Sequence, residues 1–173
     1  MKIIDEKIRT NLFSYIFQCM LATITLVILL FFLNVFTETV LIASVGSTAF
    51  IVFAMPKTYA SAPRRLIGGY GIGIIIGIIC FYLGDWLHSS FAITSFFTYD
   101  SPVFFAALAV GLSIFLMTIT NTEHAPAAGI ALGLVLNQWT IQSVIFIIIV
   151  MIAMIVVKHV LQSLLINLSS HGI

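Results

Sequence analysis

Two stretches of this chain, "LATITLVILLFFL" (Leu21–Leu33) and "SVIFIIIVMIAMIVV" (Ser143–Val157), contain no ionisable side chain. A bilayer core offers backbone N–H and C=O groups no water, so a spanning segment must satisfy them internally, as an α-helix does. The rest of the chain agrees: of 173 residues, 61% are hydrophobic and 8% charged, with a mean hydropathy of +1.21. A soluble domain needs far more charge. The expected class is an all-α, polytopic membrane helix bundle forming a single transmembrane domain over 1–173, with the lipid bilayer as its first partner.

Charge and composition exclude several functions. A net charge of +1 without a large basic patch leaves no nucleic-acid surface. No pair of Cys or His has metal-ligand spacing on one helix, and no serine-based triad is evident. No enzyme activity, metal or cofactor is therefore expected. Cys19 and Cys80 fall at depths differing by roughly 12 Å, beyond disulfide reach.

Six hydrophobic segments can be drawn, at about 13–36, 39–55, 66–87, 102–120, 126–138 and 140–162. The first is too long for a signal-peptide core and is not closed by a small-residue cleavage site, so it is expected to stay. Ile4, Ile8 and Leu12 share one face, so residues 1–12 read as an interfacial segment. The second and fifth segments are short or broken, and charge decides whether they cross. With six crossings, Lys2, Lys7, Arg9, Lys57, Arg64, Arg65 and Lys158 all share one side. The positive-inside rule makes that side, and both termini, cytoplasmic. A bacterial inner (plasma) membrane is the expected location. The outer loop "GDWLHSSFAITSFFTYDSP" reads as an aromatic interfacial loop.

Two short stretches rich in small residues, "SVGSTAF" (Ser44–Phe50) and "PAAGIAL" (Pro126–Leu132), each sit second in a group of three segments. An offset of about 82 aligns Gly46 with Ala128 and Ala49 with Ala131. Units of three crossings must enter from opposite sides, so the plan is two inverted repeats, 13–87 and 102–165; chance similarity among small residues is the competing explanation. Ser44 suits an N-cap, and Pro126 suits a first helical turn. The two helix starts would then point toward the midplane from opposite sides and favour an anion. Glu123 and His124 would face a cytoplasmic vestibule, where imidazole titrating near neutrality could gate. The alternative is an interfacial loop and a proline-started helix without a ligand.

Three motifs resemble those of the HPP family of membrane proteins: "SVGSTA" (Ser44–Ala49), "PRRLIGGY" (Pro63–Tyr70) and "HAPAAGIAL" (His124–Leu132). The family pattern reads S-F-G-A-T-A, P-R-N-x-I-G-G-H and H-P-P-A-G-A-T-A-L, in the same order. Here Ala125 replaces the first proline of the naming motif, Arg65 replaces Asn, Tyr70 replaces His and Ile130 replaces Thr. The family includes a nitrite transporter of plastids and cyanobacteria, so the resemblance implies a small-anion transporter, with nitrite the best named candidate.

The expected substrate-binding residues are Ser44, Gly46, Ser47, Thr48, His124, Pro126, Ala128 and Gly129, with a small inorganic anion as the partner. Glu38, Arg64, Arg65 and Glu123 are expected to gate or steer it, the arginines by raising the local anion concentration. Plain interfacial anchors are the other reading of the arginines, and a surface residue that of Glu38. Gly69, Gly73 and Gly77 form a close-packing face, used either between the halves or between subunits of a homo-oligomer. The alternatives to an anion transporter are an uncharged-solute or cation channel and a membrane assembly module without transport.

Overall fold

The computed structural model describes residues 7–33, 39–90, 95–137 and 139–168. Among them are six helices: α1 Lys7–Leu33, α2 Thr39–Ala54, α3 Pro63–Ser90, α4 Ser95–Thr120, α5 Ala125–Leu136 and α6 Ile141–Leu161. A 3₁₀ turn, Tyr59–Ser61, joins α2 to α3. Helices α1, α3, α4 and α6 carry stretches long and apolar enough to cross a membrane. The remaining two are apolar but shorter, 16 residues for α2 and 12 for α5, or roughly 24 and 18 Å of rise. The molecule is a helical membrane bundle.

The helices alternate in direction, and one end of the bundle collects the polar groups. There, Gln18 in the first half of α1 donates through Nε2 to the Phe53 carbonyl at 2.8 Å and the Ile166 carbonyl at 2.9 Å. The Leu168 N–H bonds the Ala54 carbonyl at 2.8 Å, and Lys57 N–H donates to Asn167 Oδ1 at 2.9 Å. Helix α1 is continuous but kinked at Asn11, the point at which the expected interfacial segment meets the first apolar run. Residues 1–6 lie outside the described residues.

Helix α5 is the central element, with α2, α3 and α4 packed around it. Small residues on both sides allow this. A Cβ at Gly73 would collide with the Ala127 carbonyl, and one at Gly77 would come within 3.1 Å of Ala131 backbone. At Gly69 it would lie 2.7 Å from His124 Cβ. The Gly69–Gly73–Gly77 face is therefore consumed within the protomer, between α3 and α5, and no longer motivates a subunit contact.

Three local expectations are corrected. The second segment starts at Thr39, so Ser44 lies inside α2 and is not its N-cap; its Oγ donates to the Val40 carbonyl one turn back, at 2.9 Å. Helices α2 and α5 do not aim their starts at one another. They lie antiparallel, with Leu41 against Gly133, Ser44 against Gly129 and Thr48 against His124, so the start of α2 neighbours the end of α5. Finally, the stretch expected to be an outer loop is not all loop: α3 continues to Ser90 and α4 begins at Ser95, with Pro102 inside the helix.

Helix ends follow capping chemistry. Helix α4 closes with Asn121 at φ 56°, a conformation that asparagine tolerates. The Thr122 N–H returns to the Met117 carbonyl at 2.9 Å and Asn121 N–H to Thr118 at 3.3 Å, the paired bonds of a Schellman ending. Helix α6 starts at Thr140, whose Oγ1 accepts from the Ser143 N–H at 3.1 Å.

Candidate functional site

Where α2 and α5 cross, an open cavity of about 470 Å³ is lined by Ser44, Ser47, Ala125, Pro126 and Gly129, with Val40, Phe50 and Ile51 among its apolar walls. Four of the expected substrate-binding residues are thus brought to one space. Ser47 is exposed there, while Ser44 is buried and fits only because position 129 has no side chain. Helix α5 starts with few spare donors: Pro126 has no N–H, and Ala127 N–H bonds the His124 carbonyl at 2.9 Å. His124 is the N-cap residue, but its side chain makes no capping bond.

The His124 side chain is instead buried, against the expectation of an open vestibule. Nδ1 lies 3.3 Å from the Ala60 carbonyl, which can only accept, so Nδ1 carries the proton. Nε2 then faces Thr48 Oγ1 at 3.2 Å, whose single proton is shared between Nε2 and the Ser44 carbonyl at 3.1 Å, and Thr48 lies 2.7 Å from Tyr70 Oη. A polar chain thus links α3, α2, α5 and the 3₁₀ turn. Burial away from water pushes the imidazole pKa down to about 4, outweighing the opposing bond to Ala60. In this conformation His124 is neutral at physiological pH and does not titrate near neutrality.

The gating candidates separate sharply. Arg65 is 4% exposed and forms an ion pair with Glu123, whose side chain is 45% exposed. The same guanidinium donates to Asn121 Oδ1 and stacks 3.0 Å from the Tyr59 ring centroid. Tyr59 Oη also donates to Asn121 Oδ1. The Glu123 carboxyl is held below the usual carboxylate range by its own backbone N–H and by Arg65. Arg64, one residue away, is exposed. Glu38 lies outside the described residues.

Every residue of the 3₁₀ turn is gripped by a different element. Tyr59 meets Arg65 and Asn121, Ala60 meets His124, and Ser61 receives Lys158 Nζ from α6 through its carbonyl and, at 2.9 Å, its hydroxyl. The turn closes this end of the bundle below the start of α5. Gly46 is set apart, with open space where a Cβ would lie, and Ala128 is buried in the core. Tyr59, Tyr70, Asn121 and Lys158 were not singled out for the site from the sequence. Their side-chain hydrogen-bond partners lie from 22 to 97 residues away, and only Asn121, a left-handed former after a helical run, carried a local signal. Among the described residues, no group of three His, Cys, Asp or Glu could hold a metal.

The comparisons agree with this architecture. A transmembrane protein of Dictyostelium discoideum is 33% identical over 93 residues, covering 54% of this chain and 29% of that protein. The chain therefore matches less than a third of that relative's length. No solved structure matches it. The transmembrane region of the HPP family matches residues 7–172, and the chain belongs to that family.

Proposed function

We propose that the chain transports or facilitates a small inorganic anion, nitrite being the best candidate, along the α2–α5 crossing. The observation that carries this reading is the cavity that gathers Ser44, Ser47, Pro126 and Gly129 between two short helices. The Ser44 and Ser47 hydroxyls, the positive end of the α5 dipole and the buried Arg65 guanidinium at the start of α3, paired with Glu123 two residues before Ala125, supply polar contacts and positive potential without a carboxylate in the cavity lining. A cation route would need carboxylates or converging carbonyls, which that lining lacks. The family resemblance supports a transport role and names nitrite.

In this reading α2 and α5 cross with the other four helices, both termini are cytoplasmic, and the end bearing Arg65, Lys57 and Lys158 faces the cytoplasm of a bacterial plasma membrane. The clustering of those cations at one end supports it. Inverted repeats are supported by which helices touch, although the paired contacts differ widely in extent. Exchanging α1–α2–α3 with α4–α5–α6 carries α1–α2 onto α4–α5 and α3–α5 onto α6–α2. The extensive α3–α4 contact has no counterpart of similar size between α6 and α1, so the halves have diverged. Proteoliposome flux across an ion panel including nitrite and nitrate tests the function: anion-selective flux supports it, and cation flux or no flux refutes it.

A further inference from the structure

We propose that Arg65 is an inner binding site for a small anion, and that the Glu123 carboxylate occupies it as a built-in stand-in, so an entering anion must displace Glu123. This rests on the transport reading for the ligand's class but stands on its own geometry. The guanidinium is almost completely buried, under the Tyr59 ring on one face. Its bonds go to oxygen acceptors alone: a Glu123 carboxylate oxygen, Asn121 Oδ1 and, at 3.4 Å, the Glu123 carbonyl. Two of those are fixed by the chain, since Asn121 and the Glu123 backbone belong to the Schellman ending and the loop into α5.

The carboxylate is the one movable acceptor. It is nearly half exposed and sits on a flexible stem, so it can reach water. Leaving it out would strand a buried cation with unmet donors, which is costly unless another anion takes its place. A small oxyanion such as nitrite can accept from the Nη1 donor that now holds the carboxylate, while Nη2 stays on Asn121 Oδ1. The loop leads directly into Ala125, which lines the α2–α5 cavity.

The test is nitrite binding to purified full-length protein in phosphatidylcholine nanodiscs, by calorimetry in chloride-free buffer. Glu123→Gln removes the internal competitor from an exposed position, and nitrite affinity should rise at least about tenfold. The gain should exceed that of Asp85→Asn, which removes one exposed negative charge without touching Arg65. It should vanish in Glu123→Gln/Arg65→Gln, with folding checked by thermal unfolding. Unchanged or weaker binding by Glu123→Gln overturns the proposal, as does an equal gain in Asp85→Asn. If nitrite binds neither form and phosphatidylglycerol discs instead protect Glu123→Gln selectively, the ligand is a lipid headgroup and the proposal falls. Tight nitrite binding by Glu123→Gln without flux in the wild type would sustain this site and sink transport. Flux with unchanged affinity in the variant would do the reverse.

Discussion

Ser44 occupies the space that a side chain at position 129 would need: a Cβ on Gly129 would collide with Ser44 Oγ yet sit 3.6 Å from its Cβ. The α2–α5 crossing is therefore set by one hydroxyl and one missing methyl. Gly129→Ala should destabilise the protein by about 1–3 kcal/mol through overpacking. Ser44→Ala leaves only the ordinary Cβ contact, so the double variant should recover most of that loss in thermal unfolding. Strict additivity of the two changes would contradict this contact.

The α3–α5 contact is less forgiving. At Gly73 the clash is with the Ala127 carbonyl, which no side-chain substitution can remove. Gly73→Ala should cost more than Gly129→Ala and resist rescue by Ala127→Gly. Gly71→Ala, facing open space on the same helix, should be near neutral. Gly73→Leu should unfold the protomer; a folded Gly73→Leu protein whose only change is a lower oligomeric mass would contradict the internal role.

His124 makes stability depend on pH. A histidine whose folded pKa lies below its unfolded value is kept neutral by the fold. Its contribution is intact above the ordinary 6.5 and is lost as pH falls toward about 4. The loss approaches ~3 kcal/mol. Glu123 acts with the same sign at lower pH, since its depressed carboxyl loses its pairing only on protonation. Chemical denaturation from pH 6.5 downward should show a steeper decline in the wild type than in His124→Gln. Equal slopes would show that the imidazole is not desolvated.

Much of the bundle was legible because long apolar runs have one stable solution in lipid. The third and sixth segments, drawn at about 66–87 and 140–162, match α3 and α6 closely, and Pro126 does mark the first turn of α5. Ser44 misled because a serine can bond the carbonyl one turn back and disappear into a helix as readily as cap one. The glycine face showed that something packs closely, but its partner, α5, follows only from tertiary geometry. Arg65 and Glu123 were both placed near the inner mouth, yet 58 residues separate them and nothing local announces their pairing. His124 was expected to be open because polar residues before a helix usually are. Its burial depends on Thr48 and Ala60 arriving from elsewhere.

The topology predicts that a single cysteine at Thr58, in a cysteine-free background, is shielded from impermeant reagent added outside intact cells. Thr58 caps the turn at the end bearing Arg65 and Lys158. Rapid outside labelling would reverse the assignment of the two faces.

Transport along the α2–α5 crossing is tested most directly by filling the cavity. Ser47 is exposed at its edge and bonds only its own helix, to the Ala43 carbonyl at 3.1 Å. Ser47→Trp can therefore block the space without disturbing the core. Nitrite flux into proteoliposomes under an imposed gradient should be clear for the wild type and fall at least about tenfold for Ser47→Trp, at equal reconstitution and unchanged thermal stability. A folded wild-type protein with no anion flux, or a Ser47→Trp protein that carries nitrite at the wild-type rate, would contradict the proposed route.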